Sequence, residues 1–222
     1  MRVPAQRRFR LLVFDWDGTL SDSTAIIADA IRSACRDLGE PVPDEATARY
    51  VIGLGLTDAL RLVAPGLPLS RHSELTVLYR RYYLAREDDI PLFAGASGLL
   101  AELEAAGYLL AVATGKSRLG LARVLARSGL AQRFHATRCA DEGFPKPHPD
   151  MLLHLMDRLA VVPDETLMIG DTTHDLELAR NAGASALAVA YGAHDVAGLA
   201  RLAPLATVHS IAEMREWLAR NG

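Results

Sequence analysis

The chain is predicted to fold as an α/β protein: a doubly wound parallel sheet with an inserted all-helical domain. Three features predict this. Short apolar runs alternate with amphipathic stretches along most of the chain, as strands covered by helices on both faces should. The alternation breaks once, after the first run, for roughly 65 residues of helical periodicity, the mark of an inserted helical unit. Acids and a hydroxyl residue close three of the runs, and open parallel sheets bind ligands at the C-terminal ends of their strands.

The first strand, Leu11 to Phe14, is unbroken and apolar and runs into Asp15-Trp16-Asp17-Gly18. Gly18 permits a sharp turn that brings backbone N–H groups toward a small anion. Ser23 to Leu38 reads as a helix, with Ile27, Ile31, Ala34, Cys35 and Leu38 on one face and Gly39 closing it. Helical pieces follow near Asp44–Val51, Thr57–Val63 and Ser70–Arg86. The exits of the insert fall at Leu20–Ser23 and Ile90–Gly95, giving a core of residues 1–21 and 92–222 and a cap of residues 22–91. The core then resumes with a helix Ala96–Ala106, a strand Tyr108–Ala113 ending at Thr114, and a helix Arg118–Ser128. A weak strand near His135–Cys139 precedes a helix Pro149–Leu159, with proline at its first position. Strand Thr166–Ile169 ends at Gly170-Asp171, helix Thr173–Asn181 and strand Ala184–Ala190 follow, and Ser210 with Glu213 forms a capping box for a last helix to Arg220.

Composition narrows the class. Half of the 222 residues are hydrophobic, enough for a sizeable core. A net charge of -3 argues against a nucleic-acid footprint. No apolar run reaches the roughly 18 residues of a membrane span. Arg2, Arg7, Arg8 and Arg10 imitate the start of a signal peptide, but the apolar stretch behind them stops at Asp15. The expectation is a soluble cytoplasmic protein whose oligomeric state is not legible. Cys35 and Cys139 stand in no ligand-spaced cluster and read as reduced, buried thiols. Of 24 basic residues only Lys116 and Lys146 are lysine. A compact ammonium does at a crowded phosphate what arginine's planar fork cannot, so both are candidates for a site.

The polar residues gather. Asp15, Thr114 and Asp171 each end a predicted strand and so share one edge of the sheet. Lys146 lies in the rigid loop Pro145-Lys146-Pro147, and Asp175 follows Asp171 by four positions near a helix start. Of Asp15 and Asp17, one can attack an electrophile or hold a metal while the other moves a proton. Carboxylates without His or Cys partners suit a hard ion, Mg²⁺ rather than zinc.

These residues resemble the haloacid dehalogenase superfamily, in its phosphatase branch with a helical cap on a Rossmann-like core. The motifs are Asp15-Trp16-Asp17-Gly18-Thr19-Leu20, Ala113-Thr114-Gly115-Lys116, Lys146-Pro147, and Gly170-Asp171-Thr172-Thr173-His174-Asp175. All four occur in order across nearly the whole chain, and the pattern is most similar to phosphoglycolate phosphatases and their broad-specificity relatives. The resemblance implies that Asp15 attacks phosphorus to form an aspartyl-phosphate, and that Asp17 protonates the leaving alcohol and then activates water. It implies that Thr114 and Lys146 hold the phosphoryl group, with Gly18 and Gly115 beside it. Mg²⁺ would be bound by Asp15, Asp171 and the backbone carbonyl of Asp17, with Asp175 in support. The expected partner is a small phosphorylated metabolite such as 2-phosphoglycolate. A sugar-phosphate mutase and a broad-specificity metabolite or nucleotide phosphatase are the alternatives.

Other residues read more plainly. Gly115-Lys116-Ser117 lacks the upstream glycine of a nucleotide-binding P-loop, and Gly53-Leu54-Gly55 reads as a cap loop. Lys116 is expected as a solvated helix-start residue and His174 as a surface residue. Tyr79, Tyr82 and Tyr83 are expected in cap packing. A substrate carboxylate would want a cation from the cap, for which Arg49, Arg61, Arg80 and Arg81 are candidates.

Overall fold

The structure, a computed structural model, describes residues 8–222; Arg2 and Arg7 of the basic N-terminal run lie outside it. Six parallel strands form one sheet: β1 (Leu11–Phe14), β2 (Leu109–Thr114), β3 (Ala136–Cys139), β4 (Thr166–Gly170), β5 (Ser185–Val189) and β6 (Thr207–Val208), in the order β3-β2-β1-β4-β5-β6. β1 to β3 are laid down in one direction, and β4 returns to the other side of β1. The strand order therefore reverses between β1 and β4, the two strands that end in Asp15 and Asp171.

Strand alternation explains the unbroken apolar runs. Leu12 and Phe14 point to one face, with Leu110, Val112, Leu167 and Ile169, and pack beneath α5 (Ala96–Ala105), α6 (Arg118–Ser128) and α10 (Ile211–Asn221). Leu11 and Val13 point to the other, with Ala111, Ala113 and Met168, and pack beneath α7 (Asp150–Leu159) and α8 (Thr173–Asn181). A strand covered on both sides needs apolar residues at every position.

Between β1 and α5 the chain makes four helices, α1 (Thr24–Leu38), α2 (Glu45–Tyr50), α3 (Leu56–Val63) and α4 (His72–Leu84), with short 3₁₀ turns at Leu69–Arg71 and Glu87–Asp89. They share an apolar cluster of their own, built from Ile27, Ile31, Ala34, Cys35, Leu60 and Leu75. Gly39 ends α1 in the left-handed conformation, as the sequence predicts. The two segments joining these helices to the sheet run side by side: Phe93 N donates to Leu20 O at 3.0 Å and Asp22 N to Pro91 O at 3.0 Å.

Several expectations need correction. The α9 helix (Val196–Ala200) and β6 were not foreseen; a two-residue strand has too little pattern to read. Pro149 stands one position before α7, at its N-cap. Ser210 accepts from Glu213 N, but the Glu213 carboxylate takes the N–H of His209 instead of completing a reciprocal box. The reciprocal box lies at α8, between Thr172 and Asp175. Cys35 and Cys139 are free and buried. Among the described residues, no helix is long and apolar enough to cross a membrane.

Candidate active site

The site forms where the strand order reverses. Asp15 follows β1, Thr114 ends β2 and Asp171 follows β4; all three are fully buried. Lys146 enters from the loop before α7, its side chain closed to solvent. Its ammonium donates to Asp15 Oδ1 at 2.7 Å and to Asp175 Oδ1 at 2.6 Å. Asp175 also caps α8: its Oδ2 accepts from Thr172 N at 3.0 Å and from Thr172 Oγ1 at 2.7 Å. Asp171 is held at both oxygens, by Thr19 Oγ1 at 2.8 Å and by Ala193 N at 2.7 Å. Gly18 has φ +81°, and a Cβ there would collide with the Asp171 carboxylate.

One atom stands apart. Asp15 Oδ2 is buried and has no hydrogen-bond partner. Asp15, Asp171 and Asp175 each present an oxygen within 4.8 Å of the others. Three carboxylates against the single ammonium of Lys146 leave two formal negative charges, which an oxygen-seeking divalent cation would neutralise. The protonation equilibria record the same imbalance. Burial pushes the pKa of Asp15 well above the ordinary carboxylate value; Lys146 opposes the rise, and Asp175 and Asp171 add to it. Asp171 is pushed up to about 7 by burial and by Asp175. Burial works against the charge of Lys146, but Asp15 and Asp175 outweigh it and hold the pKa above the usual lysine value.

Asp17 faces a different set of groups. Ser23 Oγ donates to its Oδ1 at 2.7 Å, and Lys116 Nζ lies 3.0 Å from the same oxygen. The expectation of a solvated Lys116 is therefore wrong: its side chain is 9% exposed, and it also donates to Tyr83 Oη at 2.8 Å. A carboxylate within reach and a roof from α4 draw it inward. Burial disfavours its charge, yet Asp17, Tyr83 and Tyr79 raise its pKa on balance. Tyr83 thus does more than pack the cap, while Tyr82 stays in it, donating to Asp37 at 2.6 Å. The hydroxyl of Thr114 accepts from Lys116 N at 3.2 Å, which leaves its own proton free to donate.

The helical segment closes over this edge at two places. Gly53 and Leu54 cross Gly115, where a Cβ would collide with the Leu54 carbonyl and lie 2.7 Å from that of Gly53. Tyr50 is clasped by two imidazoles, and this corrects the reading of His174 as a surface residue. His174 is 4% exposed, and its Nε2 lies 2.8 Å from Tyr50 O; His194 Nε2 lies 2.9 Å from the same carbonyl. A carbonyl only accepts, so both Nε2 atoms carry protons. His194 Nδ1 accepts from Thr173 N, so that ring is neutral. Burial pushes the pKa of both imidazoles below the usual value, and His174 pushes that of His194 further.

The segment Tyr191-Gly192-Ala193-His194 was missed altogether. It holds Asp171 through Ala193, bonds Thr19 O through Tyr191 Oη at 3.1 Å, and brings Gly192 so close that a Cβ would overlap Asp171. Its one signal in the sequence was position: a glycine just past the end of a strand in a parallel sheet.

The chain belongs to the haloacid dehalogenase-like hydrolase family, whose model matches residues 12–189. It is 37% identical over 211 residues to a probable phosphatase, IndB, of Dickeya dadantii, covering 92% of this chain and 91% of that protein. It is 35% identical over 185 residues to the tyrosine-protein kinase PtkA of Mycobacterium tuberculosis, covering 82% of this chain but only 62% of the kinase. A phosphoglycolate phosphatase of Vibrio vulnificus is 30% identical over 220 residues, covering 94% of this chain and 96% of that one. Among solved structures, a haloacid dehalogenase-like hydrolase from Streptococcus pneumoniae superposes with a TM-score of 0.80 at 28% identity, covering 95% of this chain and 98% of that one.

Proposed function

We propose that the protein is a Mg²⁺-dependent cytoplasmic phosphatase that hydrolyses small phosphomonoesters, 2-phosphoglycolate or a similar metabolite, through an aspartyl-phosphate. The observation that carries this reading is Asp15: one oxygen is gripped by Lys146, and the other is buried without a partner at the switch point of the sheet. A carboxylate so held can present an oxygen to phosphorus along a fixed line.

In this reading Asp15 attacks phosphorus and the ester oxygen leaves. Asp17 gives that oxygen a proton, then takes one from the water that hydrolyses the aspartyl-phosphate. Lys146 holds the nucleophile and offsets the phosphoryl charge, and the free O–H of Thr114 donates to a phosphoryl oxygen beside Gly115. Gly18 and Gly115 stand beside the anion, and their missing side chains let Asp171 and the Gly53–Leu54 loop close in around it. Asp15 and Asp171, with the backbone carbonyl of Asp17 and with Asp175 in support, would hold Mg²⁺. The ion supplies positive charge that lets two anions approach. Residues 22–91 act as a cap whose closure over Gly115 limits the access of water. Two free, buried thiols are in keeping with a reducing compartment.

The test is phosphate release from a panel of small phosphorylated metabolites, with and without Mg²⁺, ranked by kcat/KM. Metal-dependent release that Asp15→Asn abolishes is the expected result. An isomerised sugar phosphate without free phosphate would point to a mutase, and undiminished turnover by Asp15→Asn would remove the nucleophile from the scheme.

A further inference from the structure

Lys116 is a buried cation for which the chemistry above has no use. Among the described residues its ammonium has one anionic neighbour, Asp17, at 3.0 Å. It also donates to the phenol oxygen of Tyr83 at 2.8 Å and lies 4.8 Å from the centre of that ring. Buried ammonium groups persist when an anion faces them. Asp17 is also the residue that meets the leaving oxygen. To give that oxygen a proton Asp17 must carry one, and Lys116 then needs another anion at almost the same place.

We propose that Lys116, together with the Tyr83 hydroxyl, reads a carboxylate on the leaving group, so that the preferred substrates are phosphate esters of small hydroxy acids. This rests on the phosphatase reading given above and names the group that sets its specificity.

Three observations support the assignment. Lys116 touches the acid rather than the nucleophile, so it stands on the leaving-group side of the reacting phosphorus. Tyr83 Oη accepts from Lys116 and keeps its own proton to donate, so the pair offers a carboxylate one donor for each oxygen. Of the four cap arginines, Arg61 pairs with Asp58 and Arg81 with Asp37, both on the surface, and Arg80 is exposed. Arg49 pairs with Glu45 while also donating to Thr24 Oγ1 at 3.4 Å, which is why it serves as the control below. The cation sought in the cap is thus supplied by the core. The cap contributes the phenol, so recognition is complete only with α4 against the sheet.

The experiment compares kcat/KM for 2-phosphoglycolate and for its neutral isostere 2-phosphoglycolamide, with Mg²⁺, in the wild type, Lys116→Met, Tyr83→Phe and Arg49→Gln. The wild type should favour the acid by roughly 30-fold or more, the usual cost of leaving one member of a buried charge pair alone. In Lys116→Met the preference should fall to about 3-fold or less, and in Tyr83→Phe, which loses a single hydrogen bond, it should drop by about 3- to 10-fold. Tyr83→Phe keeps the test available if Lys116→Met does not fold. A wild type that hydrolyses both esters equally would overturn the proposal and leave the phosphatase intact. So would a preference that survives in Lys116→Met or Tyr83→Phe, or one that collapses in Arg49→Gln alone. Release from neither ester, nor from any other phosphomonoester, would overturn the phosphatase reading and this one with it.

Discussion

Lys146 Nζ donates to Asp15 Oδ1 across 2.7 Å, joining residues 131 positions apart in the chain. The same ammonium serves Asp175, so its removal strands two buried carboxylates. Lys146→Met should cost about 3–5 kcal/mol of stability, as breaking a buried ion pair does, and should lower kcat/KM by about 100-fold or more. Lys146→Arg should restore little, because a planar guanidinium cannot take a compact ammonium's place between the two acids. Urea denaturation and phosphate release, measured on the same preparations, check both parts; an active, fully stable Lys146→Met would refute them.

Asp171 is the anion whose two oxygens are already aimed, by Thr19 and Ala193. Mg²⁺ should raise the stability of the wild type by about 2.7 kcal/mol at a hundred times its Kd. In Asp171→Asn the gain should disappear. Thermal melts across a Mg²⁺ titration make the comparison, and equal shifts in the two proteins would count against the metal site.

Gly115 lies directly under the crossing of Gly53 and Leu54. A methyl group there cannot coexist with the Leu54 carbonyl, so Gly115→Ala should hold the loop off the site. The core beneath is unaffected, and stability should change by about 1 kcal/mol or less. We expect kcat/KM to fall by about 10- to 100-fold, through lost positioning of the reacting groups. A variant with wild-type kinetics would show that this loop need not seat for turnover.

His174 and His194 make stability depend on pH. Their folded pKa values lie below the ordinary 6.5, chiefly through burial, with Asp175, Lys146, Glu177 and Asp195 as the charged groups acting on them. As pH falls, the unfolded chain binds protons first. The contribution is therefore full above about pH 6.5 and is lost as pH falls through that value toward the folded pKa. The slope is at most about 1.4 kcal/mol per pH unit for each imidazole. Asp171, pushed up to about 7, acts in the opposite sense over the same range, so the rings are read from a difference. The denaturation midpoint of the wild type relative to a His174→Asn, His194→Asn double variant should decline between pH 8 and pH 5, and parallel curves would exclude the two rings as the cause.

The sheet was legible because both of its faces are covered: Leu11 to Phe14 and Thr166 to Ile169 need no alternation to be recognised. The convergence of Asp15, Thr114 and Asp171 followed from topology alone, since strand ends in a parallel sheet share an edge. Lys116 and His174 were misread because their burial comes from partners far along the chain, Tyr83 and Tyr50, which no local window contains. The loop Tyr191 to His194 was invisible for a related reason. Two of its contacts, Ala193 N to Asp171 and Tyr191 to Thr19 O, run through backbone atoms, which any residue type supplies.

The clasp on Tyr50 has the same character and a practical consequence. Two imidazoles grip a peptide oxygen and also pack on the Tyr50 ring, His194 stacked and His174 edge-on, so they read the path of the backbone at the end of α2 as well as an aromatic side chain. Grafting the helical segment of a related hydrolase onto this sheet would preserve the two hydrogen bonds whatever residue fell at that position, and lose only the ring contacts if that residue were not aromatic, provided the main chain arrived in the same place. An alignment of side chains would give no warning when it did not. Chimeras of this scaffold should therefore be chosen by superposing that one carbonyl.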